Sequence, residues 1–336
     1  MRWARSGDKA FPPFICGPYA MPGSSVSLSS TSELPLVSIV ALCHNHAPFV
    51  REALDSIRSQ TYPNLEVWLV DDASTDGSPV ILQEYAAQNP TWHLLLLPEN
   101  VGNCRAFNAA FWQSTGLFVI DFATDDVLLP ERVAEQVAVF AAAALTVGVV
   151  YSNAELMAED GRLLGRHHRP DGPGQLKPRP ASGWVFAEVL RRYFISTPTM
   201  MMRRACLESL GGYDETLAYE DFDFWVRASR DWQFLYLDAV TTRKRKHPRS
   251  MSSRAYQPHD PYLASTIRVC EKALALQRTP DERAALATRL RWEMRQALRR
   301  GRFPEALALF ALLRHTTRPT VLDLALALGS RLARLG

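Results

Sequence analysis

Two pairs of neighbouring aspartates, each at the end of an apolar run, are the residues of this sequence best suited to chemistry. Asp71 and Asp72 end the run 65–70, and Asp125 and Asp126 follow a similar run. Carboxylates at the end of a buried strand are unfavourable unless a cation or hydrogen-bond donors meet them, and divalent cations such as Mg²⁺ prefer oxygen ligands. Because ligands of open α/β sheets bind outside the carboxyl ends of strands, the two pairs together predict a divalent metal site at a sheet edge.

A repeating pattern of strands and helices surrounds these acids. The predicted strands cover residues 36–42, 65–70, 92–97, 117–122 and 148–151, and the predicted helices cover 50–57, 78–88, 106–114 and 130–145. The first helix is indicated by Val50, Ala53, Leu54 and Ile57, whose spacing places the four side chains on one helical face. Strands that alternate with helices predict an α/β fold, with a mostly parallel sheet flanked by helices.

The composition favours a globular enzyme over a nucleic-acid-binding or membrane-spanning protein. Hydrophobic residues make up 47% of the 336 residues, which is ample for a core, and the formal net charge of +3 gives no sign of nucleic-acid binding. The longest apolar stretch, 137–151, is shorter than the roughly 20 residues that a membrane helix needs. The five cysteines are widely spaced and lack a zinc-site pattern, so we expect reduced thiols in a cytoplasmic protein.

The two ends of the chain differ in composition from its middle. Residues 1–34 are rich in Pro and Ser and lack the apolar core of a signal peptide, so we predict a flexible N-terminal tail. In residues 256–336 leucines recur among arginines, and Pro280, Pro304 and Pro319 stand where helices would begin, which predicts a C-terminal helical region. Residues 35–255 are then the α/β domain.

Several short blocks of sequence carry a family resemblance. The blocks are 36–46 (LVSIVALCHNH), 59–64 (SQTYPN), 70–78 (VDDASTDGS), 99–102 (ENVG) with Asn108, 123–126 (ATDD) followed by 129–132 (LPER), 210–215 (LGGYDE) and 220–225 (EDFDFW). In content and order they resemble the family 2 glycosyltransferases and are similar to bacterial polysaccharide glycosyltransferases. The resemblance covers about residues 36–253 and implies a GT-A, Rossmann-like domain, here followed by a C-terminal helical extension.

The resemblance implies an inverting, metal-dependent transfer of a sugar from a UDP- or dTDP-linked donor to a hydroxyl of a glycan or lipid-linked saccharide. Cleavage of the donor leaves negative charge on the diphosphate, which Mn²⁺ or Mg²⁺ neutralises. Asp126 corresponds to the family's metal ligand, and Asp125 beside it contacts the ribose or a metal-bound water. The segment that starts at Thr124 departs from a strict Asp-x-Asp motif. Without the resemblance, Asp126 could simply cap the helix predicted from residue 130.

Other positions resemble the family's nucleotide-binding residues. Asp72 corresponds to the acid that accepts a hydrogen bond from N3–H of a uracil or thymine base, and Asp71 to its structural partner or a ribose contact. Asn45 and Asn100 are expected at the donor site, where the backbone around Asn45 would meet the base.

The strongest basic run of the chain covers residues 243–249. By itself it indicates a solvated loop or a weak nucleic-acid patch. The resemblance implies instead that Arg243 and Arg245 contact the diphosphate, and that His247, with Ser250 shortly after it, completes the metal shell.

A base must remove the proton of the acceptor hydroxyl in an inverting transfer. Asp221 matches the family's base, and Glu220 beside it would contact a sugar hydroxyl. Taken without the resemblance, an acid at this position could also be the N-cap of the helix predicted over 222–228.

Three other functions use similar residues. A nucleotidyltransferase also places acids at strand ends, but it usually has a Gly-rich, Lys-containing phosphate loop near the first strand, which this sequence lacks. A glycosidase pairs two carboxylates but needs no base-binding block around Asp72. A non-catalytic nucleotide-sugar-binding protein would not need both Asp126 and Asp221.

The C-terminal helices are expected to pack on the catalytic domain or to make peripheral contact with the inner face of the cell membrane, and not to form part of the donor site. Their leucines need burial, and their arginines could face anionic lipid. These arginines are Arg289, Arg291, Arg295, Arg299, Arg300 and Arg302.

Overall fold

The computed structural model of the protein describes residues 34–172, 174–250 and 261–333. The predicted tail, apart from Leu34, and the predicted domain boundary after residue 255 lie outside these ranges. From Pro35 onward the chain forms one compact unit.

The elements occur in the following order along the chain. The strands are β1 (Val37–Cys43), β2 (Leu65–Asp71), β3 (His93–Leu96), β4 (Phe118–Ala123), β5 (Val127–Leu128), β6 (Val147–Ala158), β7 (Leu163–Arg166), β8 (Arg169–Pro170), β9 (Leu176–Lys177), β10 (Met201–Arg203) and β11 (Gln233–Lys246). The helices are α1 (Val50–Arg58), α2 (Ser78–Gln88), α3 (Asn103–Phe111), α4 (Arg132–Ala142), α5 (Phe186–Arg191), α6 (Arg204–Ser209), α7 (Asp221–Ala228), α8 (Tyr262–Leu276), α9 (Pro280–Arg299), α10 (Phe303–Thr316) and α11 (Val321–Ala333). A short 3₁₀ helix covers Thr197–Thr199.

One large sheet in the described residues has the strand order β3-β2-β1-β4-β10-β6-β11-β5, with β7 paired to β6. The pairings among β1 to β4 are parallel, as the alternation of strands and helices predicts. β10 is antiparallel to both β4 and β6, and β11 is antiparallel to β5, so the sheet as a whole is mixed.

Each face of the sheet carries its own core because the side chains of a strand alternate between faces. Along β1, Val40 and Leu42 belong to one cluster of buried residues, whereas Ile39 and Ala41 belong to the other. All seven residues of β1 are buried, which explains the continuous apolar run seen in its sequence.

The C-terminal helices pack on the preceding domain. Leu263, Leu286, Leu290 and Leu309 share one hydrophobic cluster with Phe222 of α7. Helix α9 starts with a capping box in which Thr279 and Glu282 bind each other's backbone N–H groups, and Pro280 occupies its first position.

The expectation that the C-terminal arginines face lipid is wrong for the buried Arg289, and two others, Arg291 and Arg302, form ion pairs within the fold. Arg289 is 3% exposed and pairs with Glu293, Arg291 pairs with Asp323, and Arg302 pairs with Glu305. These guanidinium groups lie in internal ion pairs because each faces an acid on its own or a neighbouring helix. Among the described residues, no helix is both long enough and apolar enough to cross a membrane.

Candidate active site

A cavity of about 810 Å³ lies at the carboxyl ends of β1, β2 and β4. Those strands end at Cys43, Asp71 and Ala123. The cavity therefore lies where ligands of open α/β sheets bind. Its lining includes most of the site residues predicted from the sequence. These are Asn45, Asp72, Asn100, Asp125, Asp126, Asp221, Arg245 and His247.

The pairing of β5 with β11 brings the acid pair to the basic run. Thr242 lies opposite Leu128 in this antiparallel pair, so the end of β11 passes the loop that holds the two aspartates. The backbone N–H of Arg245 donates to Asp126 Oδ1 at 2.7 Å, and His247 Nε2 lies 3.0 Å from Asp125 Oδ2.

Two interpretations based on the sequence alone are therefore wrong. The first part of the basic run is the end of a strand and not a solvated loop, since it pairs with β5 and β6. Asp126 does not cap α4, because the N-cap residue is Glu131 and the Asp126 carboxylate accepts from Arg245 instead.

The two aspartates differ in their electrostatics. Burial, followed by the negative charge of Asp125, raises the pKa of Asp126 well above its ordinary value. Burial also opposes ionisation of Asp125, but the hydrogen bond from His247 and the nearby His46 leave the pKa of Asp125 below its ordinary value. The charges of Lys244 and Arg245 and the backbone N–H of Arg245 offset only part of this rise in the pKa of Asp126.

The donor atoms around this pair fit a divalent cation. Asp126 is 4% exposed, His247 is 6% exposed, and the buried Nδ1 of His247 has no hydrogen-bond partner among the described residues. In the described part of the chain no group of three His, Cys, Asp or Glu residues could by itself hold a metal ion. Mg²⁺ is often held by only one or two carboxylates together with substrate phosphates. The residues present therefore fit an ion whose coordination a substrate completes.

The carboxylate of Asp72 binds the backbone of the loop that precedes α3. Its Oδ1 accepts from Val101 N at 2.7 Å and its Oδ2 accepts from Gly102 N at 3.0 Å, while the residue still lines the cavity. A carboxylate has about four lone-pair sites, so each oxygen keeps the capacity for a further donor.

Asn45 and Asn100 lie in the same region. Asn45 has a positive φ of 59°, and its Oδ1 accepts from Thr75 N at 2.8 Å, which ties the loop after β1 to the loop after β2. Asn100 Nδ2 lies 3.1 Å from Nε2 of His44, and all three of these residues line the cavity.

Two predicted donor-site residues have other partners, and neither lines the cavity. Asp71 is 2% exposed, and its Oδ2 accepts from Ser74 N at 2.8 Å within the turn after β2. Arg243 forms an ion pair with Glu155 on β6, with Nε and Oε2 separated by 3.2 Å. Both side chains therefore bind partners in the protein outside the cavity, with Asp71 buried and Arg243 partly exposed.

Arg245 lines the cavity, but its side chain also binds other residues of the protein. It is 4% exposed, its Nη2 pairs with Glu52 at 2.5 Å, and its Nε donates to the Asp125 carbonyl at 2.9 Å. The guanidinium therefore holds the backbone next to the aspartate pair.

Asp221 is the first residue of α7 and lines the cavity. Its Oδ2 accepts from the Thr197 hydroxyl at 3.1 Å and its Oδ1 from Phe222 N at 2.5 Å. Burial raises its pKa above the ordinary value. Burial, and then the charge of Asp121, also raises the pKa of the neighbouring Glu220 to about 8, although Asn103 donates to Glu220.

Several residues that line the cavity were not predicted from the sequence. Asp121, on β4, accepts from the Tyr213 hydroxyl at 3.1 Å, and burial raises its pKa to about 7. An acid inside an otherwise apolar strand was the available signal. The C-terminal helices also reach the cavity through Tyr262, Thr266 and Trp292, which no motif indicated.

Comparison with known proteins gives a family match and a fold match. A family model described as glycosyl transferase family 2 matches residues 38–209. The putative teichuronic acid biosynthesis glycosyltransferase TuaG of Bacillus subtilis is 30% identical over 142 residues, which cover 42% of this chain and 56% of that protein. The uncharacterized glycosyltransferase RP339 of Rickettsia prowazekii is 26% identical over 229 residues, which cover 68% of this chain and 69% of that protein.

The fold is similar to that of several solved structures, among them those of TarS and PcManGT. TarS of S. aureus, residues 1–349 in complex with UDP-GlcNAc, has a TM-score of 0.65 at 20% identity over 89% of this chain and 87% of that one. The mannosyltransferase PcManGT of Pyrobaculum calidifontis, in complex with GDP-Man and Mn²⁺, has a TM-score of 0.55 at 24% identity over 90% of this chain and 81% of that one. At these identities the likeness concerns the fold alone, and it confirms the predicted GT-A architecture.

Proposed function

The chain belongs to glycosyl transferase family 2, and from this premise we propose that it moves a sugar from a nucleotide-diphosphate donor to a hydroxyl of a saccharide acceptor. The observation that carries the proposal is the presence, in one cavity, of the buried Asp126 and His247 beside Asp125, and of the half-buried carboxylate of Asp221. Asp126 and His247 can hold a metal ion that binds the donor diphosphate, and the Asp221 carboxylate can accept a proton.

We propose that Asp126 and His247, together with the diphosphate of a bound donor, hold Mn²⁺ or Mg²⁺, and that Asp125 beside them contacts the ribose or a metal-bound water. When bound, the ion supplies positive charge against the diphosphate of the donor. Arg245 supports this site indirectly, because its side chain holds the Asp125 carbonyl and its backbone N–H holds the Asp126 carboxylate.

Asp221 acts as the general base in this proposal. The oxygen of the acceptor hydroxyl forms a bond to the anomeric carbon while its proton passes to the Asp221 carboxylate. The bond between the anomeric carbon and the diphosphate oxygen breaks, and its electron pair leaves with the nucleotide. Attack from the face opposite the leaving group inverts the anomeric centre, and no covalent enzyme intermediate forms. The hydroxyl of Thr197 orients the carboxylate through its hydrogen bond to Oδ2.

The proposed donor carries UDP or dTDP. Asp72 lies in the cavity near Asn45 and Asn100, where a carboxylate oxygen can accept from N3–H of a uracil or thymine ring. One protein of similar fold was solved with UDP-GlcNAc and another with GDP-Man, so the fold accepts more than one base. We propose UDP or dTDP because the carboxylate of Asp72 can accept from N3–H of their bases.

The proposed acceptor is a glycan or lipid-linked saccharide of cell-envelope polysaccharide biosynthesis. This follows from the similarity to a protein named for teichuronic acid biosynthesis. Such an acceptor would place the protein in the cytoplasm or at the inner face of the cell membrane.

Calorimetry of the full chain with UDP-, dTDP- and GDP-sugars, with and without Mn²⁺, tests the donor. We expect UDP-sugars to bind more tightly with Mn²⁺ than without it. Slow hydrolysis of the bound donor, measured as released sugar, tests for an enzyme and excludes a protein that only binds nucleotide sugars. If no nucleotide sugar binds in the presence of Mn²⁺, the proposed function is wrong.

A further inference from the structure

Aromatic side chains form one wall of the cavity beside the proposed base. Tyr193, in the segment after α5, lies against Phe222, the residue that follows Asp221, with ring centroids 5.4 Å apart. Trp292 of α9 lines the same cavity. Both Tyr193 and Trp292 are 41% exposed although they border a pocket. An aromatic ring that faces a cavity offers apolar surface for a ligand.

Tyr193 is held in place on several sides. Its ring contacts Phe222 and Trp225 in edge-to-face geometry, at centroid distances of 5.4 Å and 5.8 Å. The guanidinium carbon of Arg289 lies 4.2 Å from the centroid of the same ring. A ring fixed in this way loses little conformational entropy when a ligand packs against it.

Arg289 connects the aromatic wall to the C-terminal helices. It is 3% exposed, and its Nε donates to the Leu190 carbonyl at 3.0 Å, at the end of α5 and just before Tyr193. Its guanidinium also lies 5.0 Å from the ring of Phe222 and 5.7 Å from that of Trp292. One cation therefore touches both exposed rings and the residue beside Asp221.

We propose that Tyr193 and Trp292 form the acceptor subsite, which binds a neutral sugar ring by stacking, and that Arg289 is the positioning residue that holds this wall in place. The inference rests on the proposed transferase function and adds the chemical class of the acceptor's reacting end. Sugar rings present C–H groups on one face, and these pack against the negatively polarised face of an aromatic ring.

Carboxyl groups supply the polar part of this subsite. Asp121, Glu220 and Asp221 all line the cavity, and their oxygens can accept hydrogen bonds from sugar hydroxyls. A uronic acid or a phosphate would bring another negative charge close to these acids, which disfavours it. Of the cationic residues that line the cavity, Arg245 pairs with Glu52 and Arg249 with Glu159, whereas the charge of Lys244 acts on Asp221. Asp221 and the ionised fractions of Asp121 and Glu220 repel a further anion, so a neutral ring is the better fit.

Methyl glycosides are suitable probes because they carry a sugar ring without an aromatic group of their own. The full chain is saturated with UDP and the diamagnetic ion Mg²⁺, and saturation-transfer NMR measures binding of methyl β-glucoside, methyl β-galactoside, methyl β-N-acetylglucosaminide and methyl β-glucuronide. We expect at least one neutral glycoside to bind, with transfer strongest to its ring C–H protons. The glucuronide should bind about fivefold more weakly or worse than the glucoside.

Variants of the two rings separate this subsite from the donor site. Tyr193→Ala and Trp292→Ala should each weaken glycoside binding about fivefold or more, while calorimetry shows an unchanged affinity for UDP. Trp292→Phe should lose less. Trp112→Ala is the matched control, since Trp112 is 53% exposed and does not line the cavity.

Arg289→Lys tests the positioning role. Lysine keeps a charge beside Glu293 but lacks the planar group that binds the Leu190 carbonyl and stacks on Tyr193. We expect weaker glycoside binding with normal UDP affinity and normal donor hydrolysis. A lower melting temperature with unchanged glycoside affinity would mean that Arg289 is only structural, and that part of the inference would be wrong.

Three results would overturn the subsite. They are failure of every neutral glycoside to bind the UDP-loaded chain, unchanged glycoside affinity in both alanine variants, and loss of UDP affinity in parallel with glycoside affinity. The UDP and donor-hydrolysis measurements report the proposed function separately. An intact donor site with no glycoside binding therefore refutes the subsite alone, whereas a chain that binds no UDP refutes both.

Discussion

The carboxylate of Asp125 and the imidazole of His247 meet at 3.0 Å, from Oδ2 to Nε2, although 122 positions separate them in the chain. The pairing of β11 with β5 produces this contact, because it carries the end of the basic run past the aspartate loop. Asp125 belongs to the described acid pair and His247 is buried beside it, so both can act on the same ion. Metal affinity should therefore depend on both residues.

The first prediction concerns His247→Ala. Removal of the imidazole takes away a donor atom and the partner of Asp125, so Mn²⁺ affinity in the presence of UDP should fall about 10- to 100-fold. Titration calorimetry of Mn²⁺ into the UDP-loaded chain measures this. His315→Ala, at an exposed position on α10, is the control. Mn²⁺ affinity equal to that of the native chain would exclude His247 from the metal site.

The second prediction concerns the pH dependence of metal binding. Because burial and the charge of Asp125 raise the pKa of Asp126, a metal ion must displace a proton from Asp126 at pH values where a free aspartate is already ionised. Mn²⁺ affinity should therefore rise with pH above the range in which a free aspartate ionises, with protons released on binding. Calorimetry in two buffers of different ionisation enthalpy measures the proton release. Asp126→Asn should lower the number of protons released, and an unchanged release in this variant would contradict the assignment.

The third prediction concerns Asp72→Asn. The variant loses the acceptor that we propose for the base and points an NH₂ group at the N–H groups of Val101 and Gly102. A lost hydrogen bond to a buried partner is worth about 1–3 kcal/mol, or about 5- to 150-fold in UDP affinity. Comparison of UDP with CDP separates two causes. Loss of the base contact should weaken UDP more than CDP, whereas a loosened loop would weaken both equally and refute the base assignment.

The fourth prediction concerns Glu220→Gln and the stability of the ligand-free chain. Burial raises the pKa of Glu220 from 4.5 to about 8. Between these values the folded state holds a proton that the unfolded state has released, so stability falls as the pH rises from about 4.5 to about 8. Glutamine cannot ionise, so urea unfolding of the variant should depend less on pH in this window. Glu271→Gln, at an exposed position on α8, is the control, and parallel curves for Glu220→Gln and the native chain would contradict the prediction.

The helices and strands that have a strong local sequence pattern were predictable from the sequence. The helix predicted at 78–88 has those bounds in α2, and the strand ends at Asp71 and near Asp125 lie at the cavity as expected. These elements carry strong local signals, because buried parallel strands read as continuous apolar runs and parallel strands end at the same edge.

The remainder depends on long-range pairing that no local pattern reports. β11 is half-buried and ends in charged residues, so its sequence does not read as a strand, and its partners β5 and β6 are distant in the chain. The side chain of Arg243 binds Glu155 and that of Asp71 binds Ser74 N, and the sequence does not show that these partners lie nearby. Trp292 lines the cavity because of the way in which α9 packs, and no local sequence pattern reports that packing.

The last prediction concerns Asp221→Asn. Asparagine keeps the size of aspartate. Its amide oxygen can accept from Phe222 N and its NH₂ group can donate to the Thr197 hydroxyl oxygen, so the local structure and the donor site should persist. It cannot take up the proton of the acceptor hydroxyl. General-base catalysis contributes typically about 10²- to 10⁴-fold in rate, so turnover should fall by that factor while UDP affinity stays normal.

Two further measurements bear on the same residue. Because burial raises the pKa of Asp221, the activity of the native chain should fall on the acidic side at a higher pH than an ordinary aspartate would give. The anomeric configuration of the product, read by NMR, should be inverted relative to the donor. Asp223→Asn removes a carboxylate of the same helix that pairs with Arg227 and does not line the cavity, and it therefore controls for general damage to α7. Near-normal turnover in Asp221→Asn, or retention at the anomeric carbon, would show that another residue or another mechanism performs the transfer.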